Sequence, residues 1–414
     1  MHKADKRSVL SLYTGAGGLD LGLEEAGFKT VLCVEMDPDS QKTIRRNRPA
    51  WRLSDPNDVH SISPKEILHQ TGLKPRQLTL LAGGPPCQPF SKSAYWSNGD
   101  GRRLKDPRAR TLRAYIRVAE AALPKVLLLE NVKGLTYAGK GEGIKLLRRE
   151  IAAINRRHRT KYKLQTIHVN TADYGVPQIR ERVFLVASRD GKTLRMPMPT
   201  HGEGDGLKPF LTAWDAIGHL DRDTWSAKRN PTGKWAALLR SIPEGQNYLW
   251  HTKQNKVLGG QPLFGWRTRY WSFLLKLAKA HPAWTIQAEP GPATGPFHWR
   301  SRVLSVEELC RLQTFPSGYR IMGARRSARR QVGNAVPSVI GELLGLEIRR
   351  QFFGERVRRT LRLLPRRRRQ PPATEAVSRV PKKYLKLRGH HRDHPGPGRG
   401  PGARLRQKKL KTST

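Results

Sequence analysis

The chain contains little cysteine, few acidic residues and no long apolar run. Its three cysteines, Cys33, Cys87 and Cys310, lie far apart among 414 residues, which indicates neither a disulfide framework nor a structural zinc site. No segment approaches the roughly 20 apolar residues that a membrane-spanning helix needs. The amino-terminal residues carry no apolar signal region, so we expect the chain to stay in the cytoplasm.

The scarcity of acidic residues makes the chain strongly basic. It holds 78 Lys or Arg against 33 Asp or Glu, a formal net charge of +45. Residues 355–414 contribute +17 of this charge, so the rest of the chain is basic in its own right. The natural partner of such a chain is a polyanion, above all nucleic acid. Arginine-rich codon bias is the alternative explanation of the same composition.

Strand-like and helix-like segments alternate over the first half of the chain. Predicted strands cover residues 8–13, 30–34, 78–82, 126–129, 164–169 and 183–187, and predicted helices include 19–26, 111–122 and 143–155. This alternation predicts an α/β fold with a mostly parallel sheet and helices on both faces. Two further helices are expected at 306–313 and 338–352.

A glycine-rich turn follows the first predicted strand, at residues 14–18 with the sequence Thr-Gly-Ala-Gly-Gly. Such a turn lets backbone N–H groups approach a ligand, and Glu35 at the end of the second strand could accept from ribose hydroxyls. The spacing G-x-G-x-x-G and a phosphate-binding Lys-Ser/Thr pair are absent. The turn therefore predicts a nucleoside ligand without a pyrophosphate.

Composition divides the chain into four parts. Residues 1–189 form the predicted catalytic and cofactor-binding domain, and the irregular stretch 190–300, with its Pro, Gly, Trp and basic residues, a separate recognition domain. Residues 301–354 are helical and are expected to return to the first domain. The basic tail 355–414 is expected to be disordered.

Cys87 follows the predicted strand 78–82 and the short run Gly83-Gly84-Pro85-Pro86. The glycines allow a sharp turn and the prolines fix the backbone, so the thiol should project at the carboxyl edge of the sheet. Ligands of open α/β sheets bind at that edge, which makes Cys87 a candidate nucleophile. The alternative is a Gly/Pro turn that happens to contain a buried cysteine.

Read together with the cysteine, five more segments resemble the cytosine carbon-5 methyltransferase family, in the family's order over most of residues 8–345. The six segments are YTGAGG at 13–18, PPCQ at 85–88, ENV at 130–132, QIRER at 178–182, RLQTFP at 311–316 and QVGNAVP at 331–337. Tyr13 stands where Phe is usual. The resemblance implies a Rossmann-like S-adenosylmethionine-dependent methyltransferase fold and a sequence-specific DNA (cytosine-5)-methyltransferase of the bacterial restriction-modification type.

The resemblance implies roles for four catalytic residues. The Cys87 thiolate would add to carbon 6 of cytosine, because carbon 5 alone is too weak a nucleophile. Glu130 would donate a proton to the ring N3 and accept from the exocyclic amine. Arg182 would hold the cytosine O2, and Arg180 would support the nucleophile region. Without the resemblance, each residue has a simpler explanation. Glu130 could merely end a strand, and Arg180 and Arg182 could lie on a solvent-exposed strand face.

The resemblance also implies a contact set for S-adenosylmethionine. Glu35 would take the ribose hydroxyls, Met36 would pack on adenine, and Asp58 would contact the adenine amine, with Asp55 as the alternative. The full set is Tyr13, Gly15, Gly17, Gly18, Leu19, Glu35, Met36, Asp58, Pro86, Leu112, Asn334 and Val336. Asn334 and Val336 can reach the site only if the C-terminal helix folds back beside the first strand.

Double-stranded DNA is the expected partner, with the target cytosine flipped out of the duplex. The predicted DNA contacts are Ser91, Ser93, Arg102, Arg103, Arg267, Arg269 and Thr285, the first four in a loop expected to close on the backbone. His298 and Arg300 are further candidates, whereas Trp271 and Trp284 are expected to build a small core. We expect a monomer without metal, at the bacterial nucleoid, with a restriction endonuclease encoded nearby as a functional rather than a physical partner.

Two other readings remain open from the sequence. An RNA-directed member of the same family, methylating tRNA, would carry the same catalytic motifs. A catalytically silent DNA-binding homologue would keep the fold and the charge. Cys87, Glu130 and Arg182 are all present, which argues against the silent homologue.

Overall fold

The computed structural model describes residues 7–85, 110–132, 142–221, 230–252, 262–264, 271–366 and 370–389. Six strands form its main sheet: β1 (Ser8–Leu12), β2 (Lys29–Val34), β3 (Leu80–Gly83), β4 (Val126–Asn131), β5 (Gln165–Asn170) and β7 (Glu181–Ser188). Two short strands, β6 (Gln178–Ile179) and β8 (Ala283–Trp284), pair separately. The bounds of the main strands differ from the predicted ones by at most two residues.

The main sheet has the strand order β2-β1-β3-β4-β7-β5. β1 pairs in parallel with β2 and β3, and β3 with β4, whereas β7 runs antiparallel to both β4 and β5. Five strands therefore point one way and β7 points the other. The predicted class, α/β with a mostly parallel sheet, is confirmed.

Helices cover both faces of this sheet. Their bounds are α1 (Gly18–Glu25), α2 (Pro38–Asn47), α3 (Pro64–Thr71), α4 (Arg110–Ala122), α5 (Glu142–His158), α6 (Ala213–Ile217), α7 (Val306–Leu312), α8 (Arg325–Asn334), α9 (Ser338–Gln351) and α10 (Lys382–Leu385). Helices α3, α4 and α5 share one core with the sheet, and α1 and α9 share another. Within the ranges described, no helix is long and apolar enough to cross a membrane.

The strands are apolar on both sides because both faces are covered. In β4, for example, Leu127 and Leu129 pack into the core under α4, while Val126 and Leu128 face the core under α1 and α9. Continuous apolar runs of this kind are typical of strands buried on two faces.

Helix α9 lies directly against α1. A β-carbon built on Gly22 of α1 would lie 2.1 Å from the carbonyl oxygen of Ser338, so no side chain fits at this crossing. The contact brings the segment just before α9 beside the glycine-rich turn after β1. This is the arrangement that residues Asn334 and Val336 require in order to reach the predicted cofactor site.

Residues 370–389 are ordered, unlike the predicted disordered tail. Tyr384 of α10 is 4% exposed, stacks on Trp235 at 5.8 Å between ring centroids, and donates a hydrogen bond to the carbonyl of Lys234. It thereby joins a small apolar core built mainly by residues within the range 235–297. Composition suggested disorder because the anchoring apolar residues are few and spaced out among basic ones.

Candidate active site

A cavity of about 370 Å³ opens at the carboxyl edge of the parallel strands. The glycine-rich turn after β1 forms one wall, and the ends of β3 and β4 form another. The start of β7, which runs the opposite way, reaches the same edge, as does the segment between α8 and α9. Carboxyl ends of parallel strands converge on one edge, which is where open α/β sheets bind their ligands.

The glycine-rich turn and the end of β2 build one half of this cavity. The backbone N–H of Gly15 donates to Glu35 Oε2 at 2.7 Å, and that of Asp37 donates to Oε1 at 2.8 Å. Burial raises the pKa of Glu35, although these two hydrogen bonds oppose the shift. A β-carbon on Gly18 would lie 2.3 Å from the carbonyl oxygen of Val336, so glycine lets the α8–α9 segment reach the cavity.

Glu130 and Arg182 form an ion pair in the other half. Arg182 Nε lies 2.7 Å from Glu130 Oε1, and the two side chains are 13% and 12% exposed. A β-carbon on Gly84 would lie 3.4 Å from Glu130 Oε2, so the carboxylate sits beside the chain that leads to Cys87. Asn131 Nδ2 donates to the carbonyl of Pro85 at 3.4 Å and ties the same segment to β4.

A buried polar network holds the α8–α9 segment in place behind the cavity. Arg180, fully buried, donates to the carbonyls of Gly333 and Ala335 at 2.7 and 3.0 Å. Gln313 Nε2 donates to the carbonyls of Val332 and Ala335, and Gln178 Nε2 donates to Gln313 Oε1 at 2.9 Å. Buried polar groups must be paired, so this network fixes the segment's position.

Residues 7–350 match the family model described as C-5 cytosine-specific DNA methylase. The chain belongs to this family. The Type II methyltransferase M.SacI of Streptomyces achromogenes is 37% identical over 366 residues, which cover 81% of this chain and 91% of that protein. The Type II methyltransferase M.NgoFVII of Neisseria gonorrhoeae is 32% identical over 344 residues, 81% of this chain and 84% of that protein. The predicted family and enzyme class, DNA (cytosine-5)-methyltransferase, are thereby confirmed.

Solved structures support the fold of the methylase. A DNMT2 variant from Spodoptera frugiperda has a TM-score of 0.56 at 17% identity, covering 83% of this chain and 99% of that one. The Entamoeba histolytica methyltransferase EhMeth has a TM-score of 0.54 at 17% identity, covering 83% and 98%. The Rossmann-like methyltransferase fold predicted from the motifs is confirmed.

Ten of the predicted site residues line the cavity of the methylase: Tyr13, Gly15, Gly18, Leu19, Glu35, Met36, Glu130, Arg182, Asn334 and Val336. Met36 is 64% exposed, so an apolar surface is available for a flat ring. The remaining predictions on this site fall into two groups. Cys87 and Pro86 lie outside the described residues, together with Ser91, Ser93, Arg102, Arg103, Arg267 and Arg269.

Gly17, Leu112, Asp58 and Arg180 are not among the residues that line the cavity. Arg180, predicted to support the nucleophile region, is seen to bind the α8–α9 segment. A β-carbon on Gly17 would face the ring of Trp51 instead, and Leu112 is buried in the core under the sheet. Asp58 accepts from the backbone N–H of His60, which does line the cavity. The alternative, Asp55, is exposed and its backbone is bonded to Gln70 of α3.

The structure contradicts two expectations about residues 190–300, one about a DNA contact and one about a core residue. His298 is fully buried, its ring centroid lies 4.0 Å from that of Trp299 with the two rings tilted, and desolvation holds its pKa well below the usual value. It cannot reach a duplex from this position. Trp271, expected in a small core, is 52% exposed and meets Trp284 edge-on at 5.4 Å. Thr285 donates to the carbonyl of Ile179 and anchors β8 to β6.

Sequence reasoning missed several residues of the site. Asp20 of α1 lines the cavity, and so does Arg330, which pairs with Asp37 at 2.6 Å. Arg330 directly precedes the motif at 331–337, and this position in the sequence could have identified it as a residue of the site. Among the described residues, no group of His, Cys, Asp and Glu is arranged to hold a metal ion.

Proposed function

We propose that this methylase transfers a methyl group from S-adenosylmethionine to carbon 5 of a cytosine flipped out of duplex DNA, through a covalent bond between Cys87 and carbon 6. The observation that supports this most strongly is the Glu130–Arg182 ion pair. It lies on the wall of the cavity, beside Gly84, three residues before Cys87. A candidate base-binding pair thus lies at the same edge of the sheet as Gly84 and Pro85, the last described residues before Cys87.

The residues around the cavity fit S-adenosylmethionine. Glu35 has both carboxylate oxygens oriented by backbone N–H groups and keeps lone pairs for the two hydroxyls of a ribose. Met36 offers an exposed apolar surface for adenine, and Asn334 and Val336 line the same cavity. When bound, this cofactor supplies an electrophilic methyl group on a sulfonium.

The described catalytic residues act on the cytosine ring. A Glu130 carboxyl group would protonate N3 as the Cys87 sulfur bonds to carbon 6, which moves the ring electrons toward carbon 5. Arg182 would stabilise the negative charge that develops at O2. After carbon 5 has gained its methyl group, a water molecule takes the carbon 5 proton. N3 returns its proton to the Glu130 carboxylate as the thiolate leaves carbon 6 and the double bond between carbons 5 and 6 re-forms.

Trapping on a fluorinated base tests the covalent step. Fluorine at carbon 5 cannot leave as a proton does, so DNA with 5-fluorocytosine at the target should give a complex with the wild-type enzyme that survives denaturation. Cys87→Ser should bind this DNA but form no such complex, because a serine hydroxyl is a far weaker nucleophile at neutral pH.

Cys310→Ala provides the matched control for this experiment. Cys310 is buried, and desolvation raises the pKa of its thiol to about 12, so it stays an unreactive thiol. The control should be trapped as efficiently as the wild type. Trapping by Cys87→Ser, or trapping only on tRNA that carries the same base, would contradict the proposal.

The biological setting is also a proposal. The relatives M.SacI and M.NgoFVII are named Type II methyltransferases, which supports a role as the modification enzyme of a restriction system. We propose a monomer at the bacterial nucleoid, with the endonuclease as a functional partner. Bisulfite sequencing of DNA from cells that express the chain would identify the methylated site.

The domain division is proposed with one change. Residues 1–189, 190–300 and 301–354 keep the catalytic, recognition and returning roles given above. Residues 370–389 are added to the recognition domain, because Tyr384 and Glu375 contact it directly.

A further inference from the structure

The hydroxyl of Tyr13 joins two elements of the cofactor cavity. Tyr13 directly follows β1, and its Oη donates a hydrogen bond of 2.9 Å to the carbonyl of Thr111. Thr111 is the second residue of α4, almost 100 positions further along the chain. Both residues line the cavity. This hydrogen bond therefore connects the turn after β1 with the start of α4.

The backbone of Tyr13 adopts an unusual conformation. Its φ is +57°, a region that residues with a side chain seldom occupy. The backbone N–H donates to the carbonyl of Val34 at 2.9 Å, which fixes the residue against β2. Burial, with a contribution from Asp58, raises the pKa of the Tyr13 hydroxyl, so the group remains a donor throughout the neutral range.

We propose that Tyr13 is a positioning residue whose hydroxyl fixes the start of α4 and thereby sets the affinity for the cofactor. The inference rests on the proposed use of S-adenosylmethionine and goes beyond it. A phenylalanine, usual at this place in the family that the motifs resemble, would supply the same ring but could not bind Thr111. The catalytic pair Glu130 and Arg182 lies on β4 and β7, so its geometry does not depend on this bond.

The test is Tyr13→Phe, which removes one oxygen atom. The dissociation constants of S-adenosylmethionine and S-adenosylhomocysteine should rise roughly two- to tenfold in calorimetric titrations, because binding must then order the start of α4 and the loss of one hydrogen bond limits the cost to about this factor. The KM for S-adenosylmethionine should rise by the same factor. The kcat at saturating cofactor and the KM for DNA should not change.

Tyr115→Phe is the matched control, because Tyr115 lies on α4, the helix whose start Tyr13 contacts. Tyr115 Oη donates to the carbonyl of Leu81 at 3.0 Å, and the ring is 2% exposed in the core under the sheet. This variant should lose thermal stability to a similar extent and keep the wild-type affinity for both cofactor forms. A Tyr13→Phe enzyme that melts earlier but binds the cofactor like the wild type would show a merely structural role and overturn the inference.

Cofactor binding by the wild-type enzyme distinguishes a failure of this inference from a failure of the proposed function. A wild-type enzyme that binds neither cofactor form would overturn the proposed cofactor, and the inference with it. A wild-type enzyme that binds both, with unchanged constants in Tyr13→Phe, would overturn the inference alone.

Discussion

Asp20 is a buried carboxyl group that lines the cavity at the edge of the sheet, and its surroundings favour the neutral form. The side chain is 1% exposed on α1, and burial raises its pKa from 3.8 to about 7. A hydrogen bond from Ser11 opposes this shift, whereas the nearby Glu24 carboxylate adds to it. Near neutral pH the folded protein therefore holds a proton here that the unfolded chain has released.

This difference predicts a pH-dependent loss of stability. The folded-state pKa of Asp20 is higher than the unfolded value, so its stabilising contribution is complete below about pH 4 and is lost as the pH rises through about 7. Asp20→Asn, which cannot ionise, should not show this loss. Relative to the wild type, it should gain roughly 2–4 kcal/mol between pH 4 and pH 8, at about 1.4 kcal/mol per pKa unit.

Denaturant unfolding at pH 4, 6 and 8 would measure the effect. The quantity to follow is the difference between the two proteins at each pH, because other buried carboxyl groups, such as Glu35, titrate in both. A difference that stays constant from pH 4 to pH 8 would mean that Asp20 is already ionised in the folded protein.

At the scale of elements, the sequence predicted the strands because their apolar runs are unbroken. β4 was expected at 126–129 and spans Val126–Asn131, and β3 was expected at 78–82 and spans Leu80–Gly83. The direction of β7 was not predictable, since an apolar run reads the same for a parallel and an antiparallel strand. Its reversal matters, because it brings Arg182 at the strand's start to Glu130 at the end of β4.

Helices without an apolar stripe were missed. The sequence of α8 is RRSARRQVGN and that of α2 is PDSQKTIRRN, each with few apolar residues to mark a helical period. The polar side chains have specific partners instead, such as Gln331 with Thr43 at 2.7 Å. Pairings between residues so far apart in the chain leave no local signal, which is also why the network around Arg180 was not foreseen.

The close crossing of α1 and α9 predicts that a glycine-to-alanine substitution lowers the stability of the protein, the opposite of its usual effect in a helix. In an open helix, replacing glycine with alanine stabilises by up to about 1 kcal/mol. At Gly22 the new β-carbon would meet backbone atoms of Ser338, Gly341 and Glu342 within 2.6 Å. Gly22→Ala should therefore destabilise by about 1–3 kcal/mol or more, as overpacked sites do. A rise in the melting temperature of this variant would refute the close crossing.

At the scale of the whole molecule, the C-terminal segment connects the two main parts of the protein. Arg362 donates its backbone N–H to Glu342 of α9, so the chain first follows the catalytic domain. Further on, Glu375 lies 3.6 Å from the Lys279 ammonium, which also pairs with Glu244 at 2.9 Å. Lys279 is 1% exposed, and a buried charge of this kind depends on its partners. Residues 370–389 thus pack against the range 190–300, which we propose as the recognition domain, and contribute more than positive charge.

Two truncations distinguish the packing contribution of residues 370–389 from the charge contribution of residues 390–414. Removing residues 367–414 takes away Tyr384 and Glu375 and should destabilise the recognition domain by roughly 3–5 kcal/mol, the usual cost of losing a buried aromatic side chain. DNA affinity should fall even at high salt, because the recognition surface itself is disturbed. Removing only residues 390–414 takes away seven Lys or Arg and one Asp. This change should leave the melting temperature unaltered.

The salt dependence of DNA binding distinguishes the two variants. For every DNA phosphate that the basic end no longer neutralises, the slope of log K against log salt should fall by about 0.9, so the shorter truncation should give a shallower slope and the same methylated sequence. In the full-length chain, Tyr384→Ala should reproduce the stability loss of the longer truncation while keeping the wild-type slope. Equal melting temperatures for the wild type, Tyr384→Ala and the longer truncation would mean that residues 370–389 contribute charge alone, because removing a buried aromatic anchor cannot otherwise leave the recognition core unaffected.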